Sequence, residues 1–157
     1  MPVKVIFLDV QGVLDIQGYR NSPLVSLLEE LKQLNDLKII ITTNTSLDQS
    51  NDPQGLTAIA ELVVNSTPDT PKPSIEFWND SFRHGLSLVP GLQMDEVLVI
   101  DDRSDIIESA RDFGFQTLHY IQGASENSLR EMLSLDTEER TTTLSSPKEV
   151  DQYFEKL

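Results

Sequence analysis

The stretch Val3-Lys4-Val5-Ile6-Phe7-Leu8-Asp9-Val10-Gln11-Gly12-Val13-Leu14 begins with a mainly apolar run and turns polar at a carboxylate. Large and β-branched apolar residues without regular polar alternation read as a strand buried on both faces, the habit of a parallel sheet. Residues 37–42, 61–65 and 96–100 have the same character. Residues 115–121 mix aromatic, β-branched and polar side chains, which suits an edge strand. Helical patterns lie between these runs. Ser22-Pro23 reads as a cap followed by a proline at the first helical position, and Leu24, Val25, Leu27, Leu28, Leu31 and Leu34 recur at helical spacing after it. Residues 75–88, with Phe77, Trp78 and Phe82, form a second amphipathic candidate. Ile106, Ile107, Ala110 and Phe113 mark a third, which Gly114 is placed to end. This alternation predicts a doubly wound α/β fold: a Rossmann-like three-layer sandwich with a parallel sheet of about five strands and helices on both faces.

Residues 1–122 are expected to form this core, and 123–157 a helical, acidic extension. Within the extension, 125–135 has a helical face of Leu129, Met132 and Leu133. Residues 136–146 read as a polar loop, and 148–157 as a terminal helix carrying Val150, Tyr153, Phe154 and Leu157.

Composition narrows the function. A hydrophobic content of 38% supports a core, so global disorder is disfavoured. With 26 acidic against 12 basic residues and a formal charge of −14, the chain lacks the basic surface that nucleic-acid phosphates require, and no nucleic-acid partner is expected. Without cysteine there is no disulfide, thiolate nucleophile or cysteine metal site. No run is long enough to cross a membrane, and the first residues lack the pattern of a signal peptide, so a cytoplasmic protein without membrane contact is expected.

Ligands of open α/β sheets bind at the carboxyl ends of the strands. The residues there are Asp9, Gln11 and Gly12 after the first strand, and Thr43-Asn44 after the second. Lys72 follows the third, and Asp101-Asp102 the fourth. Singly, each has a structural reading: an aspartate after a strand caps a turn, and an acid pair opens a helix. Together they supply a carboxylate nucleophile, hard oxygen ligands suited to Mg²⁺, and a hydroxyl and an ammonium that can hold phosphoryl oxygens.

In this order the residues resemble the haloacid dehalogenase-like (HAD) superfamily. Phe7-Leu8-Asp9-Val10-Gln11-Gly12-Val13-Leu14 is similar to its first motif. Ile39-Ile40-Ile41-Thr42-Thr43-Asn44 is similar to the second and Lys72-Pro73 to the third. Residues 97–102, leading into 109–115, are similar to the fourth. A response-regulator receiver domain also joins acids, a threonine, a lysine and Mg²⁺ at a sheet rim, but its acid pair follows the first strand. Here the pair follows the fourth, and the order favours the HAD reading.

The resemblance implies a Mg²⁺-dependent phosphatase whose nucleophile, Asp9, forms an aspartyl-phosphate. Mg²⁺ would be held by Asp9, Asp102, the backbone carbonyl of Gln11 and neighbouring Asp101. Thr43, Asn44 and Lys72 would hold the phosphate. Two departures stand out. Gln11 replaces the aspartate that serves as general acid and base, a loss worth about 10²–10⁴ in rate. Ile106 stands where relatives often carry Asp or Asn. Asp15 and Asp105 are the nearest candidates to compensate. The spans from Asp9 to Thr43 and from Lys72 to Asp101 each hold little beyond one helix and one strand, so no inserted cap domain is expected. An open site suits a phosphorylated macromolecule, or a small phosphorylated molecule covered by a second copy or a protein partner. The alternative is a binding or regulatory module, a pseudophosphatase that keeps the fold without turnover.

Overall fold

A computed structural model describes residues 3–10, 13, 23–44, 56–121 and 128–131. Five parallel strands form one sheet: β1 (Val5–Leu8), β2 (Lys38–Thr43), β3 (Leu62–Asn65), β4 (Val97–Asp101) and β5 (Gln116–His119). Their spatial order is β3-β2-β1-β4-β5, with β1 central. Three helices connect them: α1 (Pro23–Asn35), α2 (Ile75–Leu88) and α3 (Ser104–Phe113). This is the expected α/β architecture.

The apolar runs are explained by burial on both faces. On one face Ile6 and Leu8, Ile39 and Ile41, and Leu98 and Ile100 pack against Leu24, Leu28 and Leu31 of α1. On the other, Val5, Phe7, Ile40, Val97 and Val99 meet Phe77 and Trp78 of α2 and Ile106 and Ala110 of α3. Successive strand residues point to opposite faces, so a strand between two helical layers needs an apolar residue at nearly every position. Phe115 sits amid Phe7, Trp78, Phe82 and Phe113, with ring centroids 4.9–6.1 Å apart. Edge-to-face contacts with Phe7 and Trp78 fix the central strand against both helices on this face.

One strand departs from expectation. β3 reads as a strand buried on both faces, yet it is an outer strand in which only Val64 is buried. β5 occupies the other edge, as its mixed composition suggests. α2 begins at a Ser74 cap, whose Oγ accepts the Phe77 N–H at 3.0 Å. α3 ends at Gly114, whose φ of 120° lies where a Cβ is strained.

Residues 128–131 are helical. Leu129 is buried against the α1 face, and Arg130 pairs with Glu30 at 3.2 Å. The 122/123 boundary, the polar loop and the terminal helix lie outside the described residues, as does Ser22. No helix among the described residues is long and apolar enough to cross a membrane.

Candidate active site

Register brings the site together. Leu8 pairs with Ile41 on β2 and with Ile100 on β4, so the next residue, Asp9, comes level with Thr42 and Asp101. The Asp9 N–H extends the ladder by donating to the Ile100 carbonyl at 3.1 Å. A 3.2 Å bond from the Val13 N–H to the Val10 carbonyl brings Val13 back towards the strand end.

Lys72 reaches this point from the segment between β3 and α2. Its ammonium donates to the Thr42 carbonyl at 2.7 Å and to Asp9 Oδ1 at 3.2 Å, and lies 2.8 Å from Asp101 Oδ2. All three side chains are buried, Asp101 completely. Asp101 Oδ1 accepts the Arg103 N–H at 3.0 Å, so this acid also ties down the start of α3. Its Oδ2 faces Lys72 outside hydrogen-bonding geometry and has no hydrogen-bond partner among the described residues.

Asp102 is the most accessible member of the acid group. Asp9, Asp101 and Asp102 each offer a carboxylate oxygen within 4.8 Å of the others. Burial pushes Asp9 up to about 7; Lys72 opposes this and the Asp101 charge adds to it. Asp102 is also raised, by burial and then by Asp101. Three carboxylates held together around one ammonium make a site short of positive charge. An all-oxygen donor set of this kind fits a hard divalent cation such as Mg²⁺.

Thr43 is buried at the end of β2, and its carbonyl accepts the Ser66 N–H at 2.9 Å. Asn44 is exposed, and its amide reaches the Lys72 carbonyl at 3.4 Å. Asn44 therefore contacts the main chain that carries the lysine.

No protein-family model matches the chain, and no curated protein matches it in sequence. Solved structures do. A protein from Corynebacterium glutamicum superimposes with a TM-score of 0.63 at 17% identity, covering 84% of this chain and 96% of that one. A HAD-like family hydrolase, so named by prediction, from Porphyromonas gingivalis gives 0.60 at 16% identity, over 85% and 98%. A HAD family enzyme from Bacteroides thetaiotaomicron, in complex with magnesium and inorganic phosphate, gives 0.56 at 13% identity, over 81% and 98%. The chain has the HAD-like fold.

Within the HAD-like fold, Asp9, Lys72 and Asp101 come into direct contact, with Asp102 beside them and Thr43 at the adjoining strand end. Gln11, Gly12 and Asp15 lie outside the described residues. Asp105, the candidate to stand in for an acid at Ile106, lies in the first turn of α3. It is exposed and bound by the Arg103 guanidinium at 2.6 Å, which holds its carboxyl below the usual range. Ile106 is buried between α3 and the sheet. Sequence reasoning missed the Thr42 carbonyl, because a main-chain acceptor leaves no mark in the residue type. It also missed His119, whose Nε2 lies 2.8 Å from the Asp102 carbonyl across the β4–β5 rim.

Proposed function

We propose that this chain is a Mg²⁺-dependent phosphatase that works through an aspartyl-phosphate on Asp9, slowly because Gln11 stands in the place of the general acid and base. The observation that carries this reading is the single buried ammonium of Lys72 bridging Asp9 and Asp101. An enzyme that attacks a phosphoryl group with a carboxylate must hold that carboxylate still and limit its repulsion from the anionic substrate, and Lys72 can do both. Asp9, Asp102 and Asp101 would hold Mg²⁺, with the Gln11 carbonyl as a further ligand. When bound, the cation supplies charge neutralisation at the phosphoryl oxygens.

The chain's own residues account for the rest. An oxygen of Asp9 attacks phosphorus as the bond to the leaving-group oxygen breaks. Lys72 orients the attacking carboxylate, and the Thr43 hydroxyl and Asn44 amide bind phosphoryl oxygens. Water then releases phosphate and restores Asp9. Gln11 can neither protonate the leaving group nor deprotonate water, so both half-reactions lose about 10²–10⁴ in rate. Substrates with good leaving groups escape the first penalty. With no inserted cap, the site is open to a phosphorylated macromolecule, or to a small molecule covered by a partner or a second copy.

The test is hydrolysis of an aryl phosphate by purified protein with Mg²⁺. Slow turnover that Asp9→Asn abolishes supports the reading. Equal rates in the two proteins, or no turnover in either, contradict it. Gln11 also favours a second reading, a pseudophosphatase that binds phosphorylated partners. Mg²⁺-dependent phosphate binding without any turnover would select it.

A further inference from the structure

A cleft apart from the acid group runs between α2 and α3, with a volume of about 570 Å³. That lies within the ~300–1,000 Å³ range of clefts that take up ligands or a few side chains. Its lining is of two kinds. The apolar part comes from Ile75, Trp78 and Phe113. Ile75 is 68% exposed, unusual for a large aliphatic residue in a helix that buries Phe77 and Trp78 so well. Trp78 Nε1 donates to Ser109 Oγ at 2.9 Å, so the indole's polar atom is satisfied internally and the buried ring underlies the cleft.

The other part is acidic. Asp105, Glu108 and Asp112 stand at three- and four-residue spacing on α3 and share the wall of the cleft. Arg103 neutralises Asp105, whereas Glu108 and Asp112 have no ion-pair partner among the described residues. Both walls begin three residues beyond site residues: Ile75 follows Lys72, and Asp105 follows Asp102. An occupant of the cleft would therefore lie along the segments that carry the rim.

From this pairing of an apolar floor with an unneutralised acidic wall, we propose that the α2–α3 cleft docks a basic amphipathic helix of a partner protein. Its apolar side chains would cover Ile75 and the half-buried Phe113 above the Trp78 ring, and its Lys or Arg residues would face Glu108 and Asp112. Charge complementarity selects this occupant. A second copy of a chain with a formal charge of −14 would bring like charge to the wall, and the chain's own residues 132–157 are themselves net acidic. The inference does not depend on the phosphatase reading.

Trp78 is the chain's one tryptophan, so its emission reports on the cleft floor without a label. The probe is an amphipathic 18-residue peptide of Leu and Lys, titrated into the full chain at about 0.15 M salt, where exposed charges more than a Debye length apart are largely screened. The expected result is a saturable change in Trp78 emission. Glu108→Lys combined with Asp112→Lys should weaken binding at least tenfold, and Ile75→Ser should weaken it severalfold. Glu29→Lys combined with Asp69→Lys, which changes the overall charge equally but on exposed positions outside the cleft lining, should leave affinity within twofold. Circular dichroism melts of each variant establish that the fold is kept. Equal loss in both double variants would mean that only net charge attracts the peptide, and would overturn the proposal. So would binding that ignores Ile75→Ser and the cleft charges. A Trp78 signal that depends on protein concentration without peptide would assign the cleft to a second copy and overturn the proposed occupant.

Discussion

Lys72 Nζ lies 3.2 Å from Asp9 Oδ1 and 2.8 Å from Asp101 Oδ2, so one buried ammonium serves two buried carboxylates that belong to different strands. Removing one partner of such a group leaves uncompensated charge in a low dielectric, at a cost of about 3–5 kcal/mol. Lys72→Met should therefore lower unfolding free energy by about that amount at pH 8, measured by urea denaturation. The loss should shrink near pH 5, where Asp9 is protonated.

The same group sets a pH dependence of stability. Asp9 is raised from 3.8 to about 7, so the folded chain holds this proton more tightly than the unfolded chain. Raising the pH from about 4 through 7 then removes stability from the metal-free protein. Asp9→Asn cannot ionise and should melt higher than the parent at pH 8, with the gap closing towards pH 4. Glu96 contributes with the opposite sign. Burial works to raise it, but hydrogen bonds from Lys4 and the Gln93 N–H hold it below the usual range. Its contribution is present above pH 4.5 and is lost as pH falls through the folded value.

A divalent cation should reverse the Asp9 penalty. Binding requires ionised carboxylates, so Mg²⁺ should raise the melting temperature more at pH 8 than at pH 5. Asp102→Asn should weaken that stabilisation while leaving the Lys72 bridge intact and, because Asp102 is also raised, somewhat raising metal-free stability at pH 8. Thermal melts over a Mg²⁺ titration at both pH values check this.

Restoring the acid of the first motif should restore turnover. Gln11→Asp is expected to raise aryl phosphate hydrolysis by about 10²–10⁴, with a larger gain for alkyl phosphates, whose leaving groups need protonation. Steady-state rates on the two substrate types measure both effects. No gain in a folded, Mg²⁺-binding variant would place the impairment elsewhere in the site.

Much of the sheet was readable because β1, β2 and β4 are covered on both faces and so carry apolar residues along most of their length, with polar ones only at the ends of β2 and β4. β3 misled for the converse reason. Leu62 and Val63 are as apolar as central-strand residues, and nothing in their identity shows that β3 is an outer strand among the described residues. In the site, residue types and order identified Asp9, Lys72 and the acid pair. They could not divide labour between Asp101 and Asp102, since adjacent identical side chains differ only in where the strand end turns them. Register decides it: Asp101 comes level with Asp9 and is buried against Lys72, and Asp102 is left more accessible. Asp105 was a candidate to compensate for Ile106 on proximity in sequence alone, and its side chain pairs instead with the exposed Arg103.

In the proposed reaction, Asp9 accepts the phosphoryl group. If Gln11 cannot activate water, the acyl-phosphate should form faster from an aryl phosphate than it decays, and so accumulate. The direct measurement is mass spectrometry of the chain quenched in acid during reaction with Mg²⁺ and an aryl phosphate. A phosphoryl adduct is expected on the peptide that contains Asp9, absent from Asp9→Asn and shorter-lived in Gln11→Asp. Turnover with Asp9 unmodified throughout, or an adduct that persists in Asp9→Asn, would contradict the proposed reaction.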